Sequence, residues 1–282
     1  MVGYSANVVC TPIRAAWLAG GHPFDRPSLN EMISSLEDIE STLIEWPEAG
    51  AIFTAAGVVR LAEEFDVLVL YDMPGIEFTR GDTPRFIPPG RQVIDAWDDI
   101  LRRGIPVLSM HHSIASWPTW EGFAEIIKGR FHYAPATLRG VSYPDSGYAM
   151  KVKQKFVVTA INHPVCAGLP ASFELEDETY QCPVFDDEVT VLITTDAPRD
   201  DSFHASALAA VRREANTGWH HPPTSAAVAW THTQNRSTIV YLQPGDGPEA
   251  FGNDHYRHLT ANAIKWLAAQ KSAEQSTQDQ KR

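Results

Sequence analysis

The stretch Gly104-Ile-Pro-Val-Leu-Ser-Met-His-His112 decides the fold prediction. Residues 105–110 form a short apolar run behind a Gly-Ile-Pro turn signal, which is typical of a strand buried on both faces of a parallel sheet. Two histidines, His111 and His112, follow this strand directly. Ligands of open α/β sheets bind in the crevice beyond the carboxyl ends of the strands, so these side chains lie where chemistry is expected.

The residues on either side of this strand repeat an alternation of strands and helices. Segments 13–19 and 66–71 predict two more buried strands, and segment 42–46 predicts a further one. Segments 28–39 and 91–103 carry apolar residues at spacings of three and four, which predict helices that face a sheet. This order predicts an α/β fold with a doubly wound, mostly parallel sheet and helices on both faces.

Length and composition predict how the chain is divided. The 282 residues are 44% apolar, which is enough for one sizeable core. We predict an N-terminal arm at 1–12, one domain at 13–268 and a polar, disordered tail at 269–282. Residues 133–150 predict a lid or binding loop, because long irregular segments in compact domains usually carry function. Residues 197–224 fit no strand–helix unit and predict an insertion that covers the site or forms a subunit contact.

Charge and cysteine content narrow the class of protein. The formal net charge is -12, and Lys and Arg form no stripe, so nucleic acid and anionic membranes are excluded as partners. No apolar run approaches the length of a membrane span, and no signal-peptide pattern begins the sequence, which predicts a cytoplasmic protein. The three cysteines are far apart, which argues against a disulfide framework or a Cys-built zinc site.

Several catalytic classes are disfavoured by missing motifs. Cys166 and Cys182 do not follow a strand that ends in a tight turn, so neither is placed as a nucleophile. The sequence has no Gly-x-Ser-x-Gly elbow, no Rossmann glycine fingerprint and no P-loop. Nicotinamide cofactors and nucleoside triphosphates are therefore not implied.

Polar residues follow three of the predicted strands. Gly21 and His22 come after the first strand, Asp72 and Glu77 after the strand at 66–71, and His111 after the central one. The loops after these strands converge on one edge of a doubly wound sheet. Imidazole and carboxylate groups bind Zn²⁺ or Mn²⁺, and they also act as general acids and bases near neutral pH. The spacing leaves both uses open.

Several motifs resemble those of one known family. Pro106-Val-Leu-Ser-Met-His111 is similar to the strand Pro-Val-Leu-Gly-Ile-Cys-x-Gly of class I glutamine amidotransferases, with His111 in place of the nucleophilic Cys. Trp117-Pro118, His163-Pro164 and Phe173-Glu-Leu-Glu-Asp-Glu-Thr-Tyr180 resemble motifs of ThuA-like (trehalose utilisation) proteins, which are related in fold to those amidotransferases. The resemblance covers residues 13–268. It implies a flavodoxin-like fold and, without the Cys, no glutaminase activity.

The resemblance implies an enzyme of carbohydrate catabolism that acts on a sugar or keto-glycoside by acid/base chemistry. A keto group acidifies the neighbouring C–H bond, so a positioned imidazole can start elimination or hydrolysis. At one position the chain departs from the family, because Gly245-Asp246 stands where a Gly-His is common. The implied catalytic residues are His111, His132 and Asp246; the implied substrate-binding residues are Gly21, His22, Asp72, Trp117, Glu178 and Tyr180; and His22 and His111 are the implied ligands if a divalent Zn²⁺ or Mn²⁺ ion is bound.

Structural roles and other functions compete with this interpretation. His112 is predicted to start a helix through a bond to backbone, and His163 is predicted to order a turn. The main alternative is a non-catalytic sugar-binding or regulatory protein that kept an amidotransferase-like fold and lost its nucleophile. A structural subunit of a larger assembly is a third option, suggested by the segment 197–224. We expect a small-molecule carbohydrate as ligand and a homo-oligomer.

Overall fold

The structure, a computed structural model, describes residues 11–279, with side chains described as far as Lys271. Residues 1–10 of the predicted N-terminal arm lie outside the described part. The strands are β1 (Ile13–Gly20), β2 (Ile39–Glu45), β3 (Val67–Asp72), β4 (Ile76–Glu77), β5 (Arg85–Phe86), β6 (Val107–Met110), β7 (Ala136–Leu138), β8 (Val141–Tyr143), β9 (Gly147–Val158), β10 (Ser172–Gln181), β11 (Thr190–Thr195), β12 (Ala205–Ser206), β13 (Ala227–Gln234) and β14 (Ser237–Leu242). The α-helices are α1 (Arg26–Ser34), α2 (Ala55–Glu64), α3 (Arg91–Arg103), α4 (Glu121–Ile127), α5 (Ala207–Arg212), α6 (Pro248–Phe251) and α7 (Asp254–Asp279).

One large sheet runs through the described residues. Its strand order is β10-β9-β11-β13-β14-β6-β3-β1-β2, and β12 pairs with β9. The neighbours from β14 to β2 are parallel, whereas β13, β11, β9 and β10 extend the sheet with antiparallel pairs. This architecture confirms the predicted α/β fold with a doubly wound sheet.

Helices cover both faces of the sheet because the parallel strands are apolar on both sides. All six residues of β3 are buried, and alternate side chains enter two different cores. Val69 packs in the core that contains Leu29 of α1 and Ile264 of α7. Leu68 packs in the opposite core, which contains Trp97 of α3. Burial on both faces is the reason that these strands read as continuous apolar runs.

The parallel strands end at one edge of the sheet. β1 connects to β2 on one side, whereas β3 connects through α3 to β6 on the other, so the winding direction reverses between β1 and β3. Gly20 and Asp72 are paired in register at the ends of these two strands. Such a reversal opens a crevice at the carboxyl ends of the strands, which is where ligands bind in folds of this type.

Three boundaries that the sequence predicts need correction. The helix predicted at 28–39 is α1, which spans Arg26–Ser34, and residue 39 already begins β2. The helix begins at Arg26 because Asp25 is its N-cap: the Asp25 carboxylate accepts a hydrogen bond from the Ser28 backbone N–H at 2.9 Å. The helix α7 continues to Asp279, past residue 268, where the predicted domain ends. Residues 269–279 are therefore helical rather than a disordered tail, and 280–282 lie outside the described residues.

The segments predicted as loop and insertion contain regular structure. Within 133–150, β7 and β8 form a hairpin and β9 begins at Gly147. Within 197–224, β12 pairs with β9, and α5 follows it directly. None of the helices in the described part of the chain is long and apolar enough to cross a bilayer.

Two glycines with the same backbone conformation provide a test of how closely the crevice is packed. Gly21 and Gly81 both have φ of +79°, but a Cβ at Gly21 would lie 2.4 Å from the Met73 carbonyl oxygen, whereas Gly81 has open space around it. We expect Gly81→Ala to lower the free energy of unfolding by about 1 kcal/mol, from backbone strain alone. Gly21→Ala adds a backbone clash and is expected to cost about 3 kcal/mol. Urea unfolding measures both changes in the free energy of unfolding. Equal losses in the two variants would contradict the close approach of the loop after β1 to the loop after β3.

Candidate active site around His111

The chain turns sharply where β6 ends at the central histidine. His111 has φ of +49°, a left-handed conformation that is uncommon for residues other than glycine, and it opens a 3₁₀ segment, His111–Ala115. The Tyr241 hydroxyl donates a hydrogen bond to the His111 carbonyl oxygen at 2.8 Å. The Ser109 and Ser113 hydroxyls, 2.6 Å apart, bridge the same turn. These contacts hold a strained backbone in place, as is common at functional sites.

The imidazole of His111 is held between a backbone carbonyl and a group of polar side chains. Its Nδ1 lies 2.9 Å from the Gln243 carbonyl oxygen, which only accepts, so Nδ1 carries a proton. Its Nε2 lies 2.9 Å from the Tyr180 hydroxyl and 3.5 Å from carboxylate oxygens of both Glu178 and Asp246. Three segments that are distant in sequence therefore meet at this one ring nitrogen.

Asp177 fixes the two carboxylates that face His111, and it is not among the site residues predicted from the sequence. Its Oδ2 accepts a hydrogen bond from the Gly245 N–H at 2.6 Å, and its Oδ1 accepts from the N–H groups of Glu178 at 2.8 Å and Asp246 at 3.2 Å. The register of β10 against β9 shifts between Asp177 and Thr179, and such bulges re-aim side chains. The signal for Asp177 was present, since it lies within the Asp-Glu-x-Tyr motif.

Burial and charge shift the pKa values of this cluster apart. Burial alone lowers the pKa of His111, but the hydrogen bond with Asp246 and the charges of Glu178 and Asp177 outweigh it and raise the pKa to about 9. The hydrogen bond to His111 lowers the pKa of Asp246. Burial raises the pKa of Glu178 to about 7, although the His111 charge opposes the shift. Neighbouring groups with pKa values driven apart are a mark of acid/base chemistry.

A cavity of about 390 Å³ lies beside the cluster. Glu178, Tyr180, Asp246 and His22 line it, whereas His111 lies behind them with 1% of its surface exposed. Residues 197–224 form one wall of this cavity through α5, so the segment covers the site, which is one of the two roles predicted for it. The other role, a subunit contact, stays a prediction. The residues of α5 in this wall are Ala207, Ala210 and Val211.

A sequence model of the ThuA family, described as trehalose utilisation, matches residues 63–267. The chain belongs to the ThuA family. A search of curated proteins finds no match.

Solved structures with the same fold include two ThuA-like proteins. The one from Parabacteroides merdae is 14% identical with a TM-score of 0.61, covering 91% of this chain and 90% of that one. The one from Bacteroides uniformis is 17% identical with a TM-score of 0.59, covering 94% and 95%. A cytoplasmic protein from Salmonella typhimurium is 12% identical with a TM-score of 0.55, covering 90% and 99%. At these identities the likeness shows the fold alone.

Some residues implied by the ThuA resemblance meet at the cavity of this ThuA-family protein. Glu178, Tyr180 and Asp246 surround His111, as described above. His22 lines the cavity and stacks on His112, with ring centroids 4.7 Å apart. Gly21 supports this arrangement by letting the loop after β1 pass against Met73.

Other implied site residues have structural positions instead. Asp72 is buried, accepts a hydrogen bond from the Trp46 indole N–H at 2.6 Å and is not among the described residues that line the cavity. Trp117, implied as a sugar platform, packs edge-on against Trp46 away from the cavity lining. His132 is buried near Tyr143 and is not among the described residues that line the cavity, and burial lowers its pKa to about 3, which favours the neutral ring. His163 orders a turn as predicted: its Nδ1 accepts from the Val165 N–H.

The cluster also has the composition of a metal site. His111, Glu178 and Asp246 each offer one ligand atom, and these atoms lie within 4.8 Å of one another. A histidine whose other ring nitrogen donates to a backbone carbonyl is a common arrangement for metal ligation, so the residues fit a divalent ion. His22, implied as a second ligand, is outside this group; its Nδ1 lies 2.7 Å from the Pro23 carbonyl oxygen.

Removal of the imidazole tests whether it controls its neighbours. In the metal-free His111→Gln variant we expect the pKa of both Glu178 and Asp246 to rise, because the positive charge that favours their ionised forms is lost. Carboxyl ¹³C NMR titration measures both values. The matched control is His220→Gln, since His220 is an exposed histidine within residues 197–224. Unchanged carboxyl pKa values in His111→Gln would show that the ring carries no charge.

Proposed function

We propose that this ThuA-family protein acts on a keto-glycoside by acid/base chemistry, with Glu178 as the group that moves the proton. The observation that carries the proposal is a buried imidazole in contact with two carboxylates and a tyrosine hydroxyl that line one cavity. In this proposal His111 is the cationic partner behind the site rather than the base in contact with substrate. That role fits a ring with 1% exposure and a pKa raised to about 9.

The proposed step is an elimination at the carbon between the keto group and the anomeric carbon. The Glu178 carboxylate takes the acidic proton from that carbon, and the electron pair forms a C=C bond as the bond to the leaving oxygen breaks. Glu178 then gives the proton to the leaving oxygen, which departs as an alcohol. A carboxyl whose pKa is about 7 suits both transfers near neutral pH.

Tyr180 and His111 support that step by stabilising charge. The Tyr180 hydroxyl lines the cavity and lies 2.9 Å from the His111 Nε2. An imidazolium behind the hydroxyl polarises it, so Tyr180 becomes a stronger donor to the oxygen of the enolate that forms from the keto group. Asp246 keeps the imidazolium charged through its own ionised carboxylate.

The charge of the cavity favours an uncharged substrate. Glu178 and Asp246 are acidic, and no Lys or Arg is among the described residues that line the cavity. Like charges brought together in a partly buried site repel strongly. Sugar phosphates and sugar acids are therefore poor ligands in this proposal.

The pH dependence of turnover tests the proposed roles. We expect turnover of a keto-glucoside to fall below about pH 7, where Glu178 is protonated, and above about pH 9, where His111 loses its charge. Glu178→Gln is expected to lower kcat by at least about 100-fold. The control is Glu174→Gln, which changes an exposed glutamate of the same strand. Binding of the keto-glucoside without turnover would support the sugar-binding alternative instead.

A bound divalent ion would use the same three groups. His111, Glu178 and Asp246 are the residues that would hold it, and a divalent ion supplies Lewis-acid polarisation of a carbonyl oxygen. Element analysis of purified protein tests this with His111→Ala as the variant. A stoichiometric metal that is lost in His111→Ala, while His220→Ala keeps it, would support the metal site. Wild-type protein that stays fully active after chelation would contradict a catalytic metal.

A further inference from the structure

The cavity has a polar region and an apolar wall. The polar region is the cluster of Glu178, Tyr180 and Asp246 at His111. The apolar wall consists of five side chains. Three belong to α5 and recur at helical spacings of three and four, and the other two are Phe78 and Met150; the three on α5 are Ala207, Ala210 and Val211. None of these five wall side chains carries a hydroxyl, amide or charge that could bond to a sugar hydroxyl. The other polar side chains among the described residues that line the cavity are His22, His112, Tyr133 and Tyr148.

The apolar wall remains partly exposed. Phe78 is 39% exposed and Met150 is 58% exposed, and both line this cavity. They are two of six large apolar side chains in the described residues with comparable exposure. Exposed apolar surface grouped at one cavity is typical of a binding site and has no role in packing the core.

The wall is held firmly in position at both ends of α5. At its start, the Asp145 carboxylate accepts hydrogen bonds from the Ser206 hydroxyl at 2.5 Å and from the Leu208 N–H at 2.9 Å. At its end, Arg212 donates to the Thr83 hydroxyl at 2.6 and 3.0 Å, which ties the helix to the loop between β4 and β5. A wall anchored in this way presents preformed apolar surface, so a ligand binds it without ordering the helix first.

We propose that the substrate is a glycoside with an apolar leaving group, an alkyl or aryl aglycone, which packs against α5, Phe78 and Met150 while the sugar faces Glu178 and Asp246. This inference rests on the proposed function for the identity of the sugar end. A second sugar packed against these five side chains would lose hydrogen bonds to water without gaining partners from them. An aglycone of several methylene or aromatic carbons gains affinity there from burial.

Binding of matched alkyl glucosides tests the wall without requiring turnover. Calorimetry compares hexyl and methyl glucosides, whose leaving groups differ in apolar surface but hardly in acidity. We expect the hexyl glucoside to bind at least about 30-fold more tightly. Val211→Asp should remove most of that difference, whereas Val59→Asp, which changes an exposed valine on α2, should keep it. Equal affinity of the two glucosides, or no binding of either, overturns the inference.

A second measurement separates this inference from the proposed function. The 3-keto forms of the same two glucosides are tested for release of the alcohol. Release at comparable rates with equal Michaelis constants would leave the proposed chemistry intact and reject the apolar subsite. Preferential binding of the hexyl compound with no release from either keto form would support the subsite and reject the chemistry.

Discussion

The interaction on which the site depends is the one between the buried His111 ring and the carboxylates around it. A protonated imidazole away from water is unfavourable unless opposite charges and hydrogen bonds compensate for its lost hydration. Asp246 and Glu178 approach the ring within 3.5 Å, and Asp177 adds a further negative charge. Because these carboxylates are themselves buried or partly buried, each group in the cluster stabilises the charged form of another.

The sheet brings these groups together from distant parts of the chain. His111 follows the parallel strand β6, Asp246 follows β14, and Glu178 belongs to the antiparallel edge strand β10. Two local irregularities complete the geometry: the left-handed backbone of His111 and the register shift in β10. Gly245 allows the loop after β14 to lie close to both, since a Cβ there would approach the Tyr256 hydroxyl to 2.7 Å. The parallel half of the sheet thus presents the ring, and the antiparallel half presents the Glu178 carboxyl that we propose moves the proton.

The parallel half of the fold could be predicted from the sequence, because its strands are apolar runs and its helices have clear periodicity. The helix α3 has the predicted bounds, Arg91–Arg103, and the strand before His111 lies where its apolar run indicated. The meeting of Glu178 with His111 had no local signal. It depends on antiparallel pairing across β9, β11 and β13, and only the family resemblance pointed to Glu178 and Tyr180.

Burial of individual side chains was the least predictable property. Trp117 and Asp72 follow strand ends in the sequence, as His22 and His111 do, but each contacts Trp46 in the interior. The sequence predicts His111 as a catalytic residue beyond the end of its strand, yet three cavity-lining groups cover it, and in the proposed function it is a charged partner rather than the base. The residues of α5 that line the cavity could not be predicted either, since a six-residue helix gives too short a pattern to indicate which face is buried.

The protonation state of His111 tests this account most directly. In metal-free protein at pH 7, ¹⁵N NMR of the ring, assigned by its loss in His111→Gln, should place both Nδ1 and Nε2 in the protonated range. An unprotonated Nε2 at that pH would contradict the account, because the ring would then be a neutral acceptor and not the cation around which the carboxylates are arranged.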